Sequence, residues 1–248
     1  MAKKRADQLL FERGLAVSRA RAQALILAGK VHTSERRIEK AGELLDEAKE
    51  LVVRGEDHAF VSRGGVKLEG ALVHFALEVT GLRCLDVGAS TGGFTDCLLQ
   101  RGAREVVAVD VGYGQLAQKL RDDARVVVME RTNAKAMTPE SIGGAVDLTV
   151  VDASFIGLAQ LLPAIASCTK PGGKLVGLIK PQFEVGREVA SKARGVIRDE
   201  KARRDAIESV LSDTAGAKFR VLGDVDCVIA GPKGNLEAFV FAERTSDP

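Results

Sequence analysis

The sequence predicts an α/β protein with a mostly parallel seven-stranded sheet that has one antiparallel edge strand, preceded by a small α+β module. Five short runs rich in β-branched residues alternate with helical stretches between residues 83 and 179, which is typical of a parallel sheet covered on both faces. Two later runs, at 219–229 and 238–242, have no helical pattern between them and fit an antiparallel hairpin at the sheet edge. The first 53 residues combine two helical patterns with two short strand patterns and form the smaller module.

Length and composition are those of a folded globular protein. The chain of 248 residues allows one large domain with a small one beside it, and 46% hydrophobic with 28% charged residues argue against disorder. The basic start of the chain is not followed by an apolar run, and no stretch has the ~20 apolar residues that span a membrane. The four cysteines are scattered, so we expect reduced thiols in a cytoplasmic protein, with no disulfide and no metal site.

The small module begins with two helical patterns separated by a glycine turn. Apolar spacing predicts one helix that ends near Gly14 and a second that Ser18 can cap and Gly29 ends. Short strands are predicted at 30–33 and 50–53. The module is therefore expected to be a compact α+β unit.

Positive charge is concentrated at the beginning of the same module. Residues 1–40 contain ten Lys or Arg against four Asp or Glu, whereas residues 41–57 contain two against six. Such an excess can bind RNA because each neutralised phosphate releases counterions, although a solvated helix face is the structural alternative. The residues that we expect to bind RNA are Lys4, Arg5, Arg13, Arg19, Arg21 and Lys30.

Several residues of the module match a known RNA-binding domain. They are Arg5-Ala6-Asp7 followed by Leu10, then Gly14, Ser18-Arg19, Ala22, Ile26, Gly29, Val31 and Val52-Val53. The arrangement resembles the S-four-type RNA-binding domain of a ribosomal protein, which is also found in pseudouridine synthases and tyrosyl-tRNA synthetases. Because the polar stretch 54–58 reads as a junction, the predicted domains are residues 1–57 and 58–248.

A glycine-rich loop follows the first strand of the large domain. Strand 83–87 runs into the loop 88–95, and the next strand ends at Asp110, where an acid can accept hydrogen bonds from a ribose diol. The loop lacks the glycine spacing of a dinucleotide site, and a purely structural turn is the alternative. It resembles the S-adenosylmethionine site of class I methyltransferases, whose fold is Rossmann-like. The cofactor-binding residues that this implies are Asp86, Gly88, Ala89, Ser90, Gly92, Gly93, Phe94, Asp110, Val111 and Asn133.

Four polar residues lie at the ends of elements in the same domain. Lys67 is in a predicted helix before the first strand, and Asp152 and Lys180 end the fourth and fifth strands. Glu237 starts the last strand. Carboxyl ends of parallel strands meet at one edge, and an antiparallel last strand brings its start to that edge, so we expect a single crevice. Taken alone, Lys67 is more often a solvated cation and Glu237 an exposed strand-end charge, whereas an acid that ends a strand, as Asp152 does, is as often structural as functional.

These four residues resemble the Lys-Asp-Lys-Glu tetrad of ribose 2′-O-methyltransferases related to the FtsJ heat-shock methyltransferase. Combined with the amino-terminal module, the chain resembles the TlyA family, whose members often carry the label hemolysin A. The motifs are Ser62-Arg63-Gly64-Gly65-x-Lys67-Leu68, the loop Leu85 to Thr95, Val109-Asp110-Val111-Gly112-Tyr113-Gly114-Gln115-Leu116 and Leu178-Ile179-Lys180-Pro181-Gln182-Phe183-Glu184.

The resemblance implies an S-adenosylmethionine-dependent enzyme that methylates cytidine 2′-hydroxyls of ribosomal RNA in the cytoplasm. Short members of the family are associated with large-subunit (23S) RNA, and small-subunit (16S) RNA stays open as a second substrate. The expected partner is ribosomal RNA or a ribosomal subunit, with no membrane, no metal and no obligate protein partner.

The chemistry explains why two lysines and two carboxylates are needed. A ribose hydroxyl is a poor nucleophile until a base takes its proton, and a lysine can be that base once burial and nearby positive charge lower its pKa. We expect Lys180 to be the base, with Lys67, Asp152 and Glu237 in positioning roles, Asp152 and Glu237 orienting Lys180 and the hydroxyl.

Two other functions remain open at this level. A pore-forming cytolysin would agree with the hemolysin label, but no export signal, amphipathic hairpin or spanning segment supports it. A non-catalytic RNA-binding protein of ribosome assembly would keep the fold, but it would have no need for the four polar residues.

Overall fold

The structure is a computed structural model that describes residues 3–16, 18–27, 29–53, 59–154, 156–186, 193, 195–231 and 233–246, with only the backbone of residue 21. The stretch 54–58, which the sequence indicates as a junction, lies outside the described residues. The chain divides into two compact units, Met1–Asp57 and His58–Pro248.

The first unit packs two helices with two small antiparallel strand pairs around one core. Its elements are β1 (Lys3–Arg5), α1 (Ala6–Glu12), α2 (Arg19–Leu27), β2 (Val31–His32), β3 (Leu44–Asp46) and β4 (Val52–Val53). Strand β1 pairs with β3, and β2 pairs with β4. The two predicted helices and the two predicted strands, β2 and β4, are present. The β1–β3 pair was not expected, because a run of three basic residues has no strand pattern of its own.

The second unit contains the remaining strands and helices of the described residues. They are α3 (Arg63–His74), β5 (Arg83–Val87), α4 (Gly93–Gln100), β6 (Glu105–Val109), α5 (Gln118–Arg121), β7 (Val126–Met129), β8 (Val146–Val151), α6 (Leu162–Cys168), β9 (Thr169–Ile179), α7 (Pro181–Glu184), α8 (Glu200–Gly216), β10 (Phe219–Asp226) and β11 (Ala238–Arg244). Two 3₁₀ turns, Ala134–Ala136 and Leu158–Gln160, flank β8.

The strands form one seven-stranded sheet in the order β10-β11-β9-β8-β5-β6-β7. Strands β9, β8, β5, β6 and β7 are parallel, and the hairpin β10–β11 lies at the edge of the sheet, as predicted. Within the hairpin, β10 is outermost and β11 runs antiparallel to both neighbours. The register pairs Ala238 with Ile179, so the residues just before β11 and just after β9 lie at the same edge.

Helices cover both faces of the sheet, which is why its strands are apolar throughout. On one face α6 and α8 contribute Ile165 and Ile207 to a core with Leu85 and Val240. On the other face α3 and α4 contribute residues such as Leu72 to a second core. No helix in the described part of the chain is long and apolar enough to span a membrane.

Candidate active site

A cavity of about 640 Å³ opens at the carboxyl edge of the parallel strands in the second unit. This is where open α/β sheets bind ligands, and the volume is within the ~300–1,000 Å³ of small-molecule sites. All four residues expected to form the crevice line it, together with residues of the glycine-rich loop. Its lining includes Arg63, Lys67, Gly88, Asp152, Ser154, Lys180, Gln182 and Glu237.

Lys180 and Asp152 form one of two ion pairs that line this cavity. Lys180 directly follows β9 and Asp152 directly follows β8, and these strands are parallel neighbours. Lys180 Nζ lies 2.5 Å from Asp152 Oδ1 and donates a hydrogen bond of 2.9 Å to Ser154 Oγ. Among the described residues Asp152 Oδ1 has no well-directed hydrogen bond, so its contact with Lys180 is an ion pair only. Burial raises the pKa of Asp152, and the charge of Lys180 opposes that rise.

Lys67 and Glu237 form the second ion pair. Lys67 lies one helical turn after Arg63 on α3, so both side chains face the cavity from one side of the helix. Lys67 Nζ is 2.5 Å from Glu237 Oε2, and the two side chains are 7% and 2% exposed. The sequence predicts that Glu237 helps to orient Lys180 and the ribose hydroxyl. In the structure the Glu237 carboxylate contacts Lys67.

The glycine-rich loop runs directly against the end of β8. Gly88 has a left-handed backbone with φ of 86°. A Cβ atom there would lie 2.7 Å from the carbonyl oxygen of Asp152, which only glycine avoids. This close approach brings the loop and the Lys180–Asp152 pair into one cavity. Gly88, Ala89, Ser90, Gly93 and Phe94 all line it.

The other residues expected to hold the cofactor do not line the cavity. Gly92 precedes α4, and a Cβ atom on it would meet the side chains of Leu116 and Leu120. Val111 is 72% exposed, and Asn133 is exposed and accepts a hydrogen bond from Lys135 N, which caps a 3₁₀ turn.

Asp86 is enclosed in the fold behind the loop. Its Oδ2 accepts hydrogen bonds from Thr95 N (2.9 Å) and Thr95 Oγ1 (2.6 Å), which tie β5 to the start of α4. Its Oδ1 has no hydrogen-bond partner within the described residues. Burial raises the pKa of Asp86 to about 7. Asp86 therefore holds the loop in place, and its carboxyl does not reach the cavity surface.

Asp110 holds the far side of the glycine-rich loop. Its two oxygens accept hydrogen bonds from Ser90 N and Gly112 N, each of 2.7 Å. A carboxylate has about four lone-pair sites, so both oxygens retain capacity for hydroxyl donors. In the cavity itself Gln182 Oε1 is buried without a hydrogen-bond partner in the described part of the chain. This set of acceptors fits a ligand that carries a ribose and further N–H or O–H donors.

Two of these polar residues had no prediction of their own. Gln182 stands inside the motif 178–184, and its place two residues after Lys180 is a usable signal. Ser154 follows Asp152 by two residues, but nothing in the sequence indicates that its hydroxyl meets Lys180. The residues that the structure describes contain no group of three His, Cys, Asp or Glu side chains that could hold a metal ion.

The basic residues of the first unit differ in what they contact. Lys4 is in ion pairs with Glu12 and Glu47, and the Arg13 guanidinium donates to the carbonyl oxygens of Glu47 and Lys49. These contacts secure the loop after β3 and leave fewer donors for RNA.

Three other predicted RNA contacts remain partly exposed. Arg5 and Arg19 both contact the carboxylate of Asp7, and their side chains are about half exposed. Lys30 lies directly before β2 and is partly exposed. The Arg21 side chain lies outside the described residues.

The sheet order, the glycine-rich loop after β5 and the cavity at the carboxyl edge together define an α/β methyltransferase. Comparisons with known proteins agree. The family model described as FtsJ-like methyltransferase matches residues 60–244, and the S4 domain model matches residues 4–51. The chain belongs to the FtsJ-like methyltransferase family and, within it, to the TlyA group.

Individual relatives extend over nearly the whole chain. The 16S/23S rRNA (cytidine-2′-O)-methyltransferase TlyA of Mycobacterium tuberculosis is 48% identical over 98% of this chain and 91% of its own length. Hemolysin A of Brachyspira hyodysenteriae is 40% identical over 94% of this chain and 97% of its own length. A solved structure from Streptococcus thermophilus that carries a hemolysin name has a TM-score of 0.77 and 41% identity, covering 100% of this chain and 90% of the other.

Proposed function

We propose that the protein transfers the methyl group of S-adenosylmethionine to the 2′-hydroxyl of cytidine in ribosomal RNA. One observation carries the proposal: two lysines and two carboxylates, in two ion pairs, surround one cavity beside the glycine-rich loop. Lys67, Lys180 and Glu237 are buried, and Asp152 is partly buried. Buried charges are costly, and clusters of them are common at sites of chemistry.

The cofactor would lie against the glycine-rich loop. Gly88, Ala89 and Ser90 line the cavity. Among the described residues each oxygen of Asp110 accepts one hydrogen bond, so the carboxylate keeps lone pairs that suit a ribose diol. S-adenosylmethionine, when bound, supplies a methyl group on a cationic sulfonium. Phe94 packs between loop and core and gives the cavity an apolar wall.

Lys180 would take the proton of the ribose hydroxyl while the 2′-oxygen displaces the methyl group from the sulfonium, so that the carbon–sulfur bond would break, with its electron pair left on sulfur, as the oxygen–carbon bond forms. A lysine acts as a general base only through the free lone pair of its Nζ. Asp152 and Ser154 hold its Nζ in place. Lys67 and Glu237 line the same cavity, where they would position the nucleotide.

The proposed substrate follows from the relatives and the first unit together. The relative from M. tuberculosis is named for cytidine methylation in both 16S and 23S rRNA. The first unit, with its S4 domain match and basic surface, would hold structured RNA. We propose 23S rRNA as the main substrate, with 16S rRNA as a second one, and action in the cytoplasm where ribosomes form.

Labelled methyl transfer to free 23S rRNA, free 16S rRNA and each ribosomal subunit tests the proposal. Nucleoside analysis of the product should give 2′-O-methylcytidine, and mapping should give a single site in each substrate used. A methyl group on a base, or binding of S-adenosylmethionine without transfer to any of the four substrates, would overturn it. The second result would favour a non-catalytic assembly protein.

A further inference from the structure

A buried carboxylate of the first unit lies against two half-exposed arginines. Asp7, in α1, is fully buried, yet three polar side chains donate to it. Arg5 Nε and Nη2 donate to its two oxygens at 3.0 Å each, Gln23 Nε2 donates at 2.8 Å, and Arg19 Nη2 lies 3.4 Å away. Both carboxylate oxygens of Asp7 thus accept hydrogen bonds, and the two arginines are held beside the same carboxylate.

The carboxylate is charged at any ordinary pH. The Arg5 hydrogen bonds, helped by those of Gln23 and Arg19, hold the pKa of Asp7 well below its usual range. Burying a charge without partners is strongly unfavourable, so the unit keeps these guanidiniums close to Asp7. Their side chains are nevertheless 45% and 52% exposed. Asp7 therefore fixes the position of two cations that still face solvent.

The pairing geometry leaves donors available. Arg5 donates to Asp7 through Nε and Nη2. Its Nη1 lies beside the backbone of Gly42, so close that a Cβ atom added to this glycine would be 3.0 Å from Nη1. A guanidinium has five N–H donors, so each arginine retains several for a second acceptor. Planar N–H groups at fixed positions suit phosphate oxygens better than freely moving charges do.

We propose that Asp7 is a positioning residue that holds Arg5 and Arg19 as a two-guanidinium site for phosphates of structured RNA. The proposal rests on the proposed function, in which the first unit binds ribosomal RNA. In this arrangement a negative charge at an RNA-binding surface strengthens RNA binding, because it fixes the two guanidiniums. A purely electrostatic surface would instead bind RNA more tightly once Asp7 loses its charge.

The test compares Asp7→Asn with Glu39→Gln in the full chain. Both remove one negative charge from the first unit, but Glu39 is exposed, and its carboxylate lies 3.7 Å from the Arg37 guanidinium. Binding of a 23S rRNA fragment is measured over a range of salt concentrations, well below the melting temperature of each variant. We expect Asp7→Asn to bind about tenfold to a hundredfold more weakly. Its salt dependence should be flatter by about one to two units of slope. Glu39→Gln should match or slightly exceed the wild type.

A second variant keeps the test valid if Asp7→Asn disturbs folding. Arg5→Lys/Arg19→Lys retains both charges and the carboxylate but loses the paired guanidinium geometry. We expect RNA binding to fall about tenfold or more, with S-adenosylmethionine affinity unchanged. Wild-type affinity and salt slope in either the double lysine variant or a folded Asp7→Asn protein would overturn the proposal. If the wild type itself bound no rRNA, the proposed function would fail instead.

Discussion

Removal of Glu237 should destabilise the protein through the partner it leaves behind. Glu237→Gln keeps the shape of the side chain but leaves the Lys67 ammonium, 7% exposed, without its carboxylate. Breaking a buried ion pair on one side costs roughly 3–5 kcal/mol. Near 200 residues each kcal/mol shifts the melting temperature by about 2–4 °C, so a decrease of about 6–20 °C is expected. Calorimetry of the full chain measures it.

The double variant Lys67→Met/Glu237→Leu separates stability from chemistry. Apolar residues of similar volume can replace a buried pair at little or no cost, so its melting temperature should return to near the wild-type value. Methyl transfer by the double variant under single-turnover conditions should be undetectable, because Lys67 and Glu237 no longer position the nucleotide. An unchanged melting temperature for Glu237→Gln would refute the reasoning about burial. A wild-type rate for the double variant would show that the pair serves only the fold.

Three further predictions concern the cavity and the loop beside it. Burial raises the pKa of Asp86 to about 7, so the folded state keeps a proton that the unfolded chain releases above pH ~4. The free energy of unfolding should therefore fall as the pH rises from about 4 to about 7. Asp86→Asn should remove this slope from unfolding free energies measured between pH 5 and 8; parallel profiles would contradict the assignment. Asp110→Ala should weaken S-adenosylmethionine binding about tenfold to a hundredfold by calorimetry, and an unchanged Kd would eliminate the diol contact. Gln182→Leu removes a buried acceptor that has no partner among the described residues, so the free energy of unfolding should stay the same or rise, while the rate of methyl transfer falls about tenfold. Full activity would mean that the Gln182 side chain contributes only packing.

The strands that carry the site could be predicted from sequence because both of their faces are buried. The run Arg83–Val87 coincides with β5, and the pattern of residues 105–109 gives β6 with the same bounds. The meeting of Asp152, Lys180 and Glu237 also follows, since it needs only parallel neighbours and one antiparallel strand with its start at the same edge.

The pairing of charges could not be predicted in the same way. Glu237 contacts Lys67 because α3 packs on the sheet at a particular angle, and that angle depends on side chains far apart in sequence. The β1–β3 pair likewise needs Leu44–Asp46, some forty residues after the basic strand. The contacts of Arg13 could not be predicted either, because charge alone does not reveal that its guanidinium donates to two backbone carbonyls.

Lys180→Arg is the most direct test of the account, in which a lysine at the end of β9 removes the ribose proton. Arginine keeps the charge and can still meet Asp152, but it cannot release a proton near neutral pH. Single-turnover transfer to 23S rRNA should fall by about 10²–10⁴, the usual contribution of a general base, while RNA and S-adenosylmethionine affinities stay near wild type. A near-normal single-turnover rate for Lys180→Arg would contradict the account and leave Lys180 as a positioning residue.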